Sequence, residues 1–238
     1  IKYQNENLEK GNPKANFAIS LPEMGLNLKL NLNTDRKKEK SRYGKVSVFF
    51  PNNQFYIDYK FNNNIINISS SRLINSYFKG QLYGDLVLFP YLTFDLKLDI
   101  NSLKFKNILN SKFLKNNIFY KLLLLNKKIN GSFLLNINEV SSFSNIINSG
   151  NINLEFKNGV LIIKQLKLNM NKMGNIEAEG EMLQRKKKKL FNYNTKIDIN
   201  NSKNFYSRFL IPKKNRINLR PISLVGEVDL HNYEIKID

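Results

Sequence analysis

A single histidine, His231, and the absence of cysteine leave this chain few ways to build a catalytic or metal centre. A Cys/His zinc site, a thiolate nucleophile and a disulfide are excluded by composition. A Ser-His-Asp triad would have to use His231, which sits in Val228-Asp229-Leu230-His231-Asn232-Tyr233, a strand end running into a turn. Its reading is therefore a turn residue. Two carboxylate pairs, Asp95 with Asp99 and Glu177 with Glu179, are the residual candidates for a glycosidase-type acid pair, though their spacing is that of ordinary solvated charges. Each pair falls on the polar parity of a strand, where carboxylates are ordinary solvated charges. No Gly-rich phosphate loop and no nucleophile elbow accompanies them. The expectation is a chain that is not an enzyme and that uses no cofactor and no metal.

Charge is the next feature with chemical meaning. Lys and Arg number 38 against 19 Asp and Glu, a net charge of +19. Such an excess points to nucleic acid or an anionic membrane surface. Its distribution argues against nucleic acid: Arg36-Lys37-Lys38-Glu39-Lys40, Arg185-Lys186-Lys187-Lys188-Lys189 and Lys213-Lys214 lie between strand-like segments, where lysines are solvated loop residues. Neither an RNA-binding aromatic signature nor a helix-turn-helix pattern appears. The 39 Asn, with abundant Lys and Ile, also fit an AT-rich coding sequence, which accounts for part of the charge.

With 238 residues, 42% hydrophobic and 24% charged, the chain is long enough for a core and too apolar for disorder. Its longest apolar runs, Leu122 to Leu125 among them, are far short of the ~20 residues of a membrane-spanning helix. It begins at Ile1 and reads as part of a longer or processed chain, so targeting information is missing.

The elements that must position any site are strands, because apolar and polar residues alternate through one segment after another. Leu26, Leu28, Leu30 and Leu32 share one parity; Val46, Val48 and Phe50 follow, then Phe55, Ile57, Tyr59 and Phe61. Leu82, Leu86 and Leu88 come next, with Gly80 and Gly84, then Phe94, Leu96, Leu98 and Ile100 against Asp95, Lys97, Asp99 and Asn101. The pattern resumes with Phe133, Leu135 and Ile137, then Ile152, Leu154 and Phe156 up to the hairpin signal Lys157-Asn158-Gly159. Val160, Ile162, Leu166, Leu168 and Met170 read as one parity of the returning strand, followed by Ile176, Ala178, Gly180 and Met182. Tyr193 to Ile199, Ile222 to Leu230 and Ile235 to Ile237 complete ten to twelve strands in a mostly antiparallel meander.

Three segments leave this rhythm. Leu103 to Lys128, with apolar spacings of three and four, reads as one or two helices; Ser141 to Asn148 and Ser202 to Leu210 read as short ones. The organisation expected is a β-rich half at 1–102, a helical connection at 103–128 and a second β-rich half at 129–238, the whole forming one continuous domain if the sheet does not break. The β-helix-β order occurs twice, a loose repeat.

So many one-sided strands must curl onto themselves, pair face to face or hold something apolar. The fold class expected is mainly β: an extended, strongly twisted antiparallel meander curled into a groove or sandwich, with two or three short helices. A membrane β-barrel would need aromatic girdles at its strand ends, which Tyr and Phe do not form here.

Asn130-Gly131-Ser132-Phe133-Leu134-Leu135-Asn136-Ile137-Asn138-Glu139, then Gly150 to Ile163, Leu166-Lys167-Leu168 and Gly174-Asn175-Ile176-Glu177-Ala178-Glu179-Gly180-Glu181 form a phrase of strand, hairpin and glycine-bearing strand. The phrase resembles the C-terminal region of AsmA-like proteins, the AsmA/TamB type. Phe94 to Ile100 leading into Leu103 resembles the strand-then-helix step before it, and the likeness runs over Leu82 to Leu230. Asn and Lys stand on the polar face where Asp, Thr and Arg are more usual in the family.

The resemblance implies a periplasmic protein of the bacterial envelope, held in the inner membrane by an N-terminal anchor outside this segment and reaching toward outer-membrane components. It implies a β-groove that binds phospholipid acyl chains and assists lipid transfer between the two membranes, with no nucleic-acid partner. The lining residues would be Leu96, Leu98, Phe133, Leu135, Ile152, Leu154, Phe156, Val160, Ile162, Leu166, Leu168, Met170 and Ile176. Plain core packing competes at each, and the alternative for the whole chain is a non-catalytic structural or adhesive β-domain with a closed core.

Overall fold

The computed structural model describes residues 2–6, 14–21, 26–35, 42–50, 53–62, 64–109, 127–141, 146–185, 188–217, 219–229 and 234–237. Alternation becomes strand throughout. The strands are β1 (Lys2–Glu6), β2 (Lys14–Leu21), β3 (Leu26–Asp35), β4 (Arg42–Phe50), β5 (Asn53–Asn62), β6 (Ile65–Ile74), β7 (Phe78–Val87) and β8 (Leu92–Lys104). They continue as β9 (Ile129–Ile137), β10 (Val140–Ser141), β11 (Ser149–Lys157), β12 (Val160–Asn169), β13 (Gly174–Arg185), β14 (Lys188–Ile199), β15 (Ile222–Asp229) and β16 (Glu234–Ile237). Two short helices, α1 (Phe105–Leu109) and α2 (Ser202–Arg208), interrupt them.

All sixteen strands belong to one sheet, and apart from β10 their order in space follows the chain. Every pairing is antiparallel except β8 with β9 and β8 with β10. The ladder therefore runs unbroken across the 103–128 connection, because β8 and β9 on either side of it pair directly, Leu92 with Ile129 through Ile100 with Ile137. The sheet is not closed into a barrel: the path ends at β1 on one side and β16 on the other. Among the hairpins, β11–β12 turns on Asn158 (φ 52°) and Gly159 (φ 80°), two successive left-handed residues that match the twist of the strands.

Register slips set which side chains face which way, and besides those of β5 with β6 and β7 with β8 two bear on the apolar face. In β6 the ladder to β7 slips between Ile68 and Leu73, where the buried Ser71 hydroxyl fills the gap by donating to the Leu82 carbonyl at 2.8 Å and accepting from the Leu82 amide. In β12 the register slips against both neighbours around Lys164.

One fact about size defines the architecture. A compact chain of 27.8 kDa exposes about 11,000 Å². This chain exposes 16,880 Å², and among the described residues no side chain is fully buried. A sheet packed face to face on a second sheet would bury far more, so the molecule is built as one extended layer. Burial is deepest at the end of the sheet where β8 and β14 run into α1 and α2, here called the lower end. There Ile100 (3% exposed), Leu103 and Ile137 form a cluster packed by Phe78, Leu98, Ile108, Leu135 and Val140. At the same end α2 sits on the turn Asn171–Met173, with Met170, Met173 and Tyr206 buried.

The helical expectations are met in part. Ser202–Arg208 is helical, capped by the Asn201 side chain accepting from the Asn204 amide at 3.0 Å. In the first region Leu103 and Lys104 are still strand, Phe105–Leu109 is helix, and 110–126 lie outside the described residues. Ser141 is strand rather than helix, because β10 extends the ladder beside β8 with the Leu103 amide donating to Glu139 at 2.8 Å; residues 146–148 are irregular and 142–145 lie outside the described set.

Candidate apolar groove

In an antiparallel ladder directly paired residues share a face, so the register decides which side chains meet. Leu82, Leu98, Leu135, Ile152, Leu166 and Ala178 form one row across β7, β8, β9, β11, β12 and β13. Leu96, Phe133, Leu154 and Ile163 form the next row, and Phe94, Gly131, Phe156, Leu161, Met182 and Phe191 a third. On the other side of the first, Leu168 pairs with Ile176 and Ile176 with Ile197. From β7 to β15 this face spans seven inter-strand steps of about 4.8 Å, or about 34 Å.

Ten of the thirteen expected lining residues come together on it and are half-buried: Leu96, Leu98, Phe133, Leu135, Ile152, Leu154, Phe156, Leu166, Leu168 and Ile176. Three do not behave as expected. Val160 pairs with Lys157, and Ile162 with Glu155 and Glu181, which puts both on the opposite, polar face. The single parity read from Val160 to Met170 is thus corrected by the bulge: it places Lys164 and Gln165 consecutively on the polar side, so Leu161 and Ile163 line the apolar face before it and Leu166 and Leu168 after it. Met170 is 3% exposed in the lower turn and belongs to the sealed end rather than the open face.

Aromatic rings pave the face over glycine. Phe94 and Phe156 stand on β8 and β11, two strands apart, yet their ring centroids are 5.3 Å apart and tilted at 59°. They meet because Gly131, in the row between them, carries no side chain; a Cβ there would lie 2.7 Å from the Phe94 ring, and its φ of 153° disfavours any other residue. Gly180 lies likewise under Phe191 and Gly44 under Tyr59. That cover raises the Tyr59 hydroxyl pKa above its ordinary value through desolvation. The signal for this paving is visible only once the register is known, since Gly131 and Phe94 are far apart in the chain.

The opposite face is polar and answered from within. Asn67 donates to Asp85 at 2.8 Å, Asn136 to Asp99 at 2.7 Å and Ser132 to Asp95. Lys97 pairs with Asp99 at 3.0 Å and Lys196 with Asp198 at 3.0 Å. The Lys164 ammonium, 2.9 Å from Glu155, holds that carboxyl below its usual range, chiefly through the hydrogen bond. Glu177 and Glu179 point to different neighbours, the first to Lys167 on β12 at 3.1 Å, the second to Asn194 on β14 at 3.2 Å. Asp95 and Asp99, four residues apart on one strand, are about 13 Å apart along it, beyond the ~6.5–9.5 Å of an acid–base pair. These carboxylates are rungs of cross-strand ladders, as their parity implied.

Among the described residues no group of His, Asp and Glu could hold a metal ion, and no helix is long and apolar enough to cross a membrane. His231 and the Arg36–Lys40 run lie outside the described residues. Compared with protein-family models, curated proteins and solved structures, the chain matches none.

Proposed function

We propose that this chain is a non-catalytic lipid-handling module of the bacterial envelope, of the AsmA type, which holds phospholipid acyl chains on the apolar face of its sheet and assists their transfer between inner and outer membranes. The observation that carries the reading is the apolar face itself: Leu, Ile and Phe from consecutive strands stand in register on one side of an extended single layer, half-exposed, with no second sheet over them among the described residues. Leaving such a face in water is costly at about 25 cal/mol per Å², and an acyl chain recovers that cost on both partners. Each CH₂ moved from water to the face is worth about 0.8 kcal/mol, so the face lowers the barrier to crossing an aqueous gap. A chain extended in a bilayer leaflet is about 15 Å long and fits within the face. The headgroup stays in water at its margin, and the polar side keeps the sheet soluble through its own ladders.

The test is native mass spectrometry with lipid extraction on the chain purified from a bacterial envelope in mild detergent. Phospholipid retained by the wild type and lost in Leu154→Asp supports the reading. A cooperatively folded, lipid-free wild type refutes it in favour of a structural or adhesive β-domain.

A further inference from the structure

The connection from β14 to β15, residues 200–221, is built to hold apolar side chains in water. Its inside is fixed: Tyr206 of α2 is 5% exposed, its hydroxyl donates to the Ile217 carbonyl and accepts from the Ile217 amide at 2.9 Å. The Arg216 guanidinium lies over the Tyr206 ring at 5.6 Å and its Nε donates to the Ile211 carbonyl at 3.0 Å. Around this frame the chain turns outward. Leu210 is 86% exposed, Ile217 71% and Phe209 47%, and Leu210 adopts a left-handed backbone (φ 54°) that a leucine rarely takes. That conformation closes α2, with the Leu210 amide donating to the Ser207 carbonyl at 3.4 Å and the Ile211 amide to the Tyr206 carbonyl at 2.9 Å, and it leaves the leucine side chain almost wholly in water. The same 22-residue connection carries Lys203, Arg208, Lys213, Lys214, Arg216 and Arg220 and no acidic residue.

We infer that this connection is a docking surface for an anionic lipid bilayer, into whose interface Phe209, Leu210 and Ile217 insert while Arg208, Lys213 and Lys214 meet the headgroups. The pairing of aliphatic tips with cations is the chemistry of an interfacial anchor: the tips gain only by leaving water for hydrocarbon, and the cations gain only at a negative surface. A nucleic acid would use the cations and the Phe209 ring but offer nothing to Leu210 or Ile217. The surface lies at the lower end of the sheet, beside the buried Met170, Met173 and Tyr206, so a bilayer docked there stands next to the sealed end and leaves the open part of the face clear of it. The inference goes beyond the acyl-chain reading and stands on different residues.

The experiment is flotation of the chain with phosphatidylcholine vesicles made with and without phosphatidylglycerol. The wild type floats with the anionic vesicles. The double variant Leu210→Ser/Ile217→Ser is expected to lose about tenfold or more in partitioning, and each of Lys213→Glu and Lys214→Glu at least about fivefold, more at low salt than at high. The double variant Leu210→Ser/Ile217→Ser keeps the phospholipid that the wild type retains in native mass spectrometry, so loss of docking and loss of acyl-chain binding are separable. A wild type that stays in solution, flotation that is indifferent to Leu210 and Ile217, or binding to duplex DNA in place of vesicles would overturn the inference. Because the substituted side chains are exposed, unchanged melting of each variant verifies that the fold is intact.

Discussion

The lower end of the sheet and the middle of its apolar face are made of the same residue types and behave differently. Ile100 and Ile137 are closed over by Phe78, Ile108 and Val140, whereas Leu96 and Phe133, two rows up the same strands, and Leu154 beside them on β11 keep part of their surface in water. The difference is one of cover, not composition. At the lower end Ile108 of α1 and Val140 of β10 pack onto the buried cluster; over the middle, among the described residues, no second sheet lies on the first. Stability is therefore concentrated where the face is sealed, and the capacity to take a ligand where it is open.

That contrast can be broken from the sealed side first. Ile100→Ala should cost about 2–5 kcal/mol in a urea titration, because it removes a nearly inaccessible side chain and leaves a cavity. Gly131→Val should cost about 1–3 kcal/mol in the same measurement, since the new side chain needs a strained backbone and displaces the Phe94 ring from Phe156. Leu154→Ala should cost only about 1 kcal/mol, half of what full burial would give, while weakening acyl-chain binding that Ile100→Ala leaves intact at temperatures where that variant is folded. The smallest effect belongs to the polar face. Glu155 titrates below the ordinary carboxylate value, so its contribution to stability is complete above the unfolded-state pKa and is lost as pH falls through the lower folded-state pKa. In Lys164→Ala an NMR titration should find Glu155 back near the ordinary value, and that segment of the pH dependence should disappear.

Much of this molecule was legible from residue order. Phe94 to Ile100 alternates so regularly that strand, face and partner face follow from it, and Asn158-Gly159 names its own turn. The segment Val160-Leu161-Ile162-Ile163-Lys164-Gln165-Leu166 defeats the same reading, because a run of four apolar residues satisfies either parity. The two adjacent polar residues, Lys164 and Gln165, are the mark of a bulge, and taking them as such would have put Leu161 and Ile163 on the apolar face in place of Val160 and Ile162. Ser141 reads as the start of a helix by its serine neighbours, yet the free edge of β8 beside it takes the chain as strand instead. The glycine paving was hidden for a different reason: Gly131 gains its meaning from Phe94 and Phe156, which the parallel pairing of β8 with β9 and the antiparallel pairing of β9 with β11 bring alongside.

The most direct test of the open face is a methyl NMR spectrum recorded with a fatty acid that carries a nitroxide on its chain. An acyl chain lying on the apolar face broadens the signals of Leu96, Leu98, Leu135, Ile152 and Leu154 and leaves Val160 and Ile162, across the sheet, sharp. Equal broadening on the two faces, or none on either, would contradict the account.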